Sequence, residues 1–237
     1  MITLLDNAIP SFLTGNDPIS GRFLSWFEAY HSTQFARFYR TEHNGGIAIL
    51  DNQAVACLPP EDGEEASAFF NLQPEILTLY TNLSGVFDGK EKCFTAMKMS
   101  NVVEPTAPEE TVRLQELYTF ISQYFTDLPP FEAWYLDVSY RTRHGFCRHA
   151  VVTEDSSIVS SAMTVAEWGS GALLGGVATA PTHRRKGYAG RCVLALVSLL
   201  QKQGKTAWIC PYNPPAQALY QSLGFEQNGV VTVVERM

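Results

Sequence analysis

The chain has 237 residues, more than the roughly 100 to 150 of a typical single domain, so one large unit and two small ones both fit. Its 46% hydrophobic and 17% charged residues belong to a chain that buries a core, which argues against a disordered one. The net charge of −7 is uneven, with 6 Lys and Arg against 15 Asp and Glu in residues 1–110 and 11 against 9 in residues 111–237; because phosphate neutralisation drives nucleic-acid binding, an acidic chain with one short basic run is a poor general binder of DNA or RNA.

The first residues, MITLLDNAIPSFL, lack a basic start and meet Asp6 and Pro10 early. No stretch approaches the ~18 apolar residues of a membrane span, so a cytoplasmic protein with no membrane partner is expected. Phe23, Trp26, Phe27 and Tyr30 recur at helical spacing and predict a helix over 19–30, its aromatic stripe read as core in preference to a ligand cage. Strands are expected over 35–40 and 47–58, joined by the hairpin signal His43-Asn44-Gly45-Gly46. An acidic loop, a helix over 64–71 and an apolar stretch over 76–80 follow. Pro105-Thr-Ala-Pro108 then reads as a linker, which divides the chain into an N-terminal α/β accessory domain, 1–104, and a second domain, 109–237.

The second series opens with a helix over 109–125 and an amphipathic segment over 131–140, with Pro129-Pro130 between them. Three β-rich runs over 146–153, 158–167 and 172–179 read as consecutive antiparallel strands. Residues 187–203 place Ala189, Val193, Leu196, Val197 and Leu200 on one helical face, with Gly204 as the stop. A buried strand over 206–210, a short helix over 214–222 and a last strand over 230–234 complete an α+β fold with a mixed, mostly antiparallel sheet flanked by helices.

Chemistry concentrates in the run from Val177 to Gly190, which passes from a strand through a cationic turn into a helix. A helix start leaves backbone amides without intrahelical partners and carries partial positive charge, an arrangement suited to an anion such as a pyrophosphate. Gly187, Ala189 and Gly190 keep the backbone open to close approach, while Arg184, Arg185 and Lys186 add charge. A merely solvated basic turn is the plain alternative. Downstream, Asn213 follows a strand end, Tyr220 lies on the short helix and Leu223-Gly224-Phe225 closes it.

Arg184-Arg185-Lys186-Gly187-Tyr188-Ala189 resembles the acyl-CoA signature of the GNAT acyltransferases, and the later Asn213, Ala216, Leu219-Tyr220 and Leu223-Gly224-Phe225 resemble that family's second pattern, in order and at the family's separation. The resemblance covers about half the chain. It implies a fold whose fourth and fifth strands splay apart, with Val177, Ala178 and Thr179 pairing to the pantetheine arm. It further implies that Arg184, Arg185, Lys186, Gly187, Tyr188, Ala189 and Gly190 cradle the pyrophosphate and that Asn213 holds the pantetheine or its thioester end. Tyr220 matches the usual general acid, against a plain reading as a packing aromatic. The implied activity is transfer of an acetyl group from acetyl-CoA to a small-molecule or protein amine; the alternative is a catalytically inactive CoA-binding regulatory or interaction protein. In many members a carboxylate near the fourth strand serves as general base, but residues 172–180 contain no acid, which leaves Glu167, Glu132, Asp137 and a water open.

Other patterns carry less. Gly169-Ser-Gly171 to Gly176 precedes a strand and does not open a helix, so it reads as turn plus strand and not as a dinucleotide fingerprint. His144, Cys147 and His149 have metal-ligand types without a partner cluster, and Cys210-Pro-Tyr-Asn213 lacks the second cysteine of a redox motif. The five cysteines are widely spaced and are expected as reduced thiols. The N-terminal element order echoes the C-terminal one, as either a degenerate tandem copy without the coenzyme site or a plain accessory domain.

Overall fold

A computed structural model of the chain describes residues 1–6, 8–104, 112–126 and 128–236. The expected linker Pro105-Thr-Ala-Pro108 and the start of the helix expected over 109–125 lie outside the described residues. Contacts group the chain into two units, Met1–Ala96 with Gln227–Met237, and Met97–Glu226.

The first unit runs β1 (Thr3–Leu4), α1 (Pro18–Tyr30), β2 (Ala36–Arg40), β3 (Gly46–Leu50), β4 (Gln53–Cys57), a 3-10 turn (Pro60–Asp62), α2 (Gly63–Asn71), β5 (Thr78–Thr81) and most of β6 (Lys90–Met99). The second contains α3 (Leu114–Ile121), α4 (Phe131–Arg143), β7 (His149–Glu154), β8 (Ser157–Trp168), β9 (Gly171–Thr179), a 3-10 turn (Pro181–His183), α5 (Tyr188–Gln201), β10 (Thr206–Ile209), α6 (Pro214–Ser222) and the start of β11 (Phe225–Glu235).

In the first unit the strand order is β1-β2-β3-β4-β5-β11-β6, with β4 and β5 parallel through Gln53↔Thr78 to Ala56↔Thr81. The last strand, expected to close the series over 109–237, here pairs antiparallel with β5 through Val233↔Tyr80 and its neighbours. α1 starts where Asp17 accepts hydrogen bonds from the amides of Ile19 (2.8 Å) and Ser20 (2.9 Å), satisfying two of the donors a helix start leaves open. Its aromatic stripe is core: Phe23 is fully buried, and Phe23 and Phe27 both meet Phe38 of β2 edge-on. The single strand expected over 47–58 is instead a hairpin, because Asp51 takes a left-handed conformation at φ 50° and turns the chain between β3 and β4.

In the second unit the order is β6-β10-β9-β8-β7, antiparallel except for β10 and β9. Two clusters pack there. One joins Val193, Leu196 and Leu200 of α5 to Ala172 and Leu174 of β9 and to Ile209 of β10. The other joins Leu117 and Ile121 of α3 and Trp134 and Val138 of α4 to Val151, Met163 and Ala178. The fold is therefore α+β with a mixed, mostly antiparallel sheet, and α5 meets the strands through the periodic apolar face that its sequence displays. No described helix is long and apolar enough to cross a membrane.

Candidate functional site

The site is made by an interruption in β9. Residues Ala172 and Leu174 pack with α5, whereas after the interruption it is Val177 that does so and Ala178 that packs with α3 and α4. Between the pairs Met163↔Gly175 and Ser161↔Ala178, β8 advances two residues and β9 three, which is a β-bulge. Gly176 sits there at φ +58°, and a Cβ on it would come within 2.9 Å of Met163 Cγ. A bulge bends its strand, and parallel pairing of β9 with β10 ends at Leu174↔Ile209, one residue before it. On the β8 side, Ser160 Oγ donates to Ala178 O (2.9 Å) and the Ala180 amide donates to Val159 O (2.9 Å). Strand alternation turns the backbone groups of Val177 and Thr179 to the opposite edge, the one that β10 no longer covers.

Past Thr179 the chain makes the 3-10 turn and reaches α5. Arg185 (φ 65°) and Gly187 (φ 82°) are both left-handed, and Gly187 caps α5 without any side-chain hydrogen bond to the first amides of the helix. The first amides of the helix, from Tyr188 to Gly190, follow a position with open space beside it: among the described residues, its chain neighbours aside, nothing lies within 4 Å of where a Gly187 Cβ would stand. Arg184 folds back through Nε to Thr179 O (3.1 Å), and Arg184, Arg185 and Lys186 are exposed. The Tyr188 side chain is directed elsewhere. Its hydroxyl donates to Glu154 of β7, whose other oxygen lies 3.1 Å from His183 Nε2. That phenol holds the Glu154 carboxyl below its ordinary range, with smaller help from Lys186 and His183. Glu154 and His183 thus tether the turn to β7, and both are missing from the sequence-based set because only the fold brings residue 154 to residue 188.

Asn213 caps α6: its Oδ1 accepts from the Ala216 amide at 2.8 Å, which leaves the amide nitrogen of its side chain able to donate outward. Tyr220 is only 4% exposed, tilts against Phe225 at 6.0 Å and belongs to the α5 cluster. Burial, together with the nearby Tyr212 and Cys210, pushes its phenol up from the ordinary value. Of the carboxylates left open as base, Glu167 is fully buried among Arg148, Lys205 (3.0 Å) and Thr164 (2.9 Å), opposite Ala172 at the far end of β9 from Thr179. Asp137 is paired with Arg141 at 2.5 and 2.9 Å, and Glu132 is exposed in the first turn of α4.

The first unit repeats the order of strands, turn, helix and parallel strand with different chemistry. Where β4 and β5 run out of pairing, the Asn82 side chain accepts from the Leu58 amide (2.9 Å) and donates to Leu58 O (2.8 Å), closing the seam that stands open in β9. The following turn carries Glu61 and Asp62, and α2 has Glu64 and Glu65 in its first turn. Asp62 is buried and accepts from Thr41 (2.5 Å), with His43 Nδ1 at 2.6 Å.

The remaining histidine and cysteine pattern is dispersed: His144 Nδ1 contacts Tyr140 O at 2.8 Å, Cys147 is buried, and His149 lies on β7. Among the described residues no group of three or more His, Cys, Asp or Glu is placed to hold a metal ion.

Residues 157–234 match the family described as FR47-like protein. No curated protein matches the sequence. Solved structures share its fold at low identity. One, assigned to the GNAT acetyltransferases and from Novosphingobium aromaticivorans, is 16% identical, with 90% of this chain and 95% of that one covered at a TM-score of 0.62. A GCN5-related N-acetyltransferase from Sphaerobacter thermophilus is 14% identical over 91% and 85%, at 0.58. A tandem GNAT protein from the clavulanic acid biosynthesis pathway is 13% identical over 100% and 98%, at 0.56.

Proposed function

We propose that this chain, which has the GNAT fold with an FR47-like segment in its second unit, is an N-acetyltransferase that takes its acyl group from acetyl-CoA and passes it to an amine, using one coenzyme site per chain. The observation that carries the reading is the junction of β9 and α5, a strand edge released from β10 after Leu174 that leads through a short turn into a cation-flanked helix start with no side-chain cap. An extended amide-bearing arm pairs with the first, and a pyrophosphate matches the second.

In this reading Val177 and Thr179 bind the pantetheine arm by their backbone, beside Ala178, and Asn213 Nδ2 donates to the arm near its thioester end. The amides of Gly187, Tyr188, Ala189 and Gly190 cradle the pyrophosphate, with Arg184, Arg185 and Lys186 neutralising its charge. The amine nitrogen bonds to the thioester carbonyl carbon, the C–S bond breaks, and Tyr220 protonates the departing sulfur. Solvent takes the proton from nitrogen and restores the phenol. A phenol whose pKa is raised stays protonated at neutral pH, the form a general acid needs. The acidic first unit, without an open seam or basic turn, acts as an accessory copy.

A second reading rests on the lack of any acid in residues 172–180: the coenzyme cradle persists in a protein that regulates or interacts and does not turn over. Following thiol release from acetyl-CoA across a panel of amines separates the two. Turnover with any amine supports the enzyme; coenzyme binding without turnover of any amine supports the regulator.

A further inference from the structure

Beyond the splay of β9 and β10, elements from the two faces of the second unit's sheet meet. Phe125, in the segment after α3, packs against the α3 and α4 cluster and brings its ring within 6.5 Å of Tyr212 at an interplanar angle of 68°. Tyr212 follows β10, adjoins the α6 cap Asn213 and is 63% exposed. A tyrosine that open does not complete a core, and it stands close to Tyr220, the candidate acid. The Tyr212 phenol and the Cys210 thiol both lie close enough to the Tyr220 hydroxyl to help raise its pKa.

We propose that Phe125 and Tyr212 form the acceptor subsite and select a primary amine carried on an aromatic group. This rests on the acetyltransferase reading and names its substrate class. Two aromatic rings at edge-to-face geometry offer a third ring an apolar face on which to pack, a contact that a flexible aliphatic polyamine lacks the ring to make.

The test measures thiol release from acetyl-CoA with benzylamine and phenethylamine against putrescine and a lysine-containing peptide, with coenzyme binding followed in parallel by calorimetry. The aryl amines are expected to show kcat/KM at least about tenfold above the others, the discrimination that apolar pocket contacts supply. Tyr212→Ala and Phe125→Ala should raise the aryl-amine KM about tenfold or more while the KM for acetyl-CoA stays put, and Tyr212→Phe, which keeps the ring, should restore it. Preference for putrescine or the peptide, or an aryl-amine KM indifferent to both alanine variants, overturns the subsite and leaves the acetyltransferase reading standing. Coenzyme binding with no turnover of any amine overturns the subsite and favours the regulator. Absence of coenzyme binding overturns both.

Discussion

In the proposed mechanism Tyr220 meets two demands, since a phenol buried in the α5 cluster has to pack and a general acid has to reach sulfur. Replacing it by phenylalanine separates them. Tyr220→Phe keeps the ring against Phe225 and so should leave the melting temperature near wild type, whereas turnover should fall roughly 10²-fold with coenzyme affinity unchanged, as expected for one lost proton donor. Full activity in the variant would return Tyr220 to packing alone. The position itself is legible in the sequence, because the pattern from Asn213 through Leu219-Tyr220 to Phe225 is local and lies on one short helix. Its surroundings are legible only in part: Cys210 and Tyr212 are near neighbours along the chain, but Phe125 arrives from the other face of the sheet, and no local period announces that.

At the scale of elements, the turn from β9 into α5 holds the candidate anion site, and Gly187 is where structure and binding can be told apart. Its φ of 82° penalises any side chain, yet the space around it is open. Gly187→Val should therefore cost the fold about 1–2 kcal/mol, the price of the left-handed conformation. In the cradle the same side chain occupies the room a phosphate needs, so the Kd for acetyl-CoA should rise by about tenfold or more, beyond anything the loss of stability accounts for. Calorimetric titration at a temperature where the variant is folded checks this, and an unchanged Kd would make the turn structural only. α5 and the three strands before it are legible because α5 has a long unbroken apolar period and the strands have long apolar runs. Two features escape that reading for opposite reasons. β6 begins Lys-Glu-Lys-Cys and shows no alternation in its first half, and the β3–β4 hairpin hides inside an apolar run where Asp51-Asn52 was the only sign of a turn. The bulge had a sign too, in the Gly175-Gly176 pair within a strand, a place where glycine marks an irregularity.

For the whole molecule, the chain uses one topological plan twice and, in the proposed reading, arms it once. In the second unit the parallel strand pair opens after Leu174 and leads into Arg184, Arg185 and Lys186. In the first, the corresponding seam is closed by Asn82 on Leu58 and leads into Glu61, Asp62, Glu64 and Glu65, which repel a pyrophosphate. Of the two N-terminal readings that the sequence leaves open, this repeated order of elements favours the degenerate copy, and the loss lies in the seam and the charge, not in the sheet. Acetyl-CoA should accordingly bind with a stoichiometry of one per chain by calorimetry. Because it binds the native state alone, a concentration about 100 times Kd should add about 2.7 kcal/mol and raise the melting temperature by several degrees. Protection from hydrogen exchange on binding should concentrate in residues 175–190 and 213–220 and leave residues 58–65 unchanged. A stoichiometry of two, or protection at Leu58 equal to that at Val177, would mean that the Asn82 closure yields to the coenzyme and that both copies work.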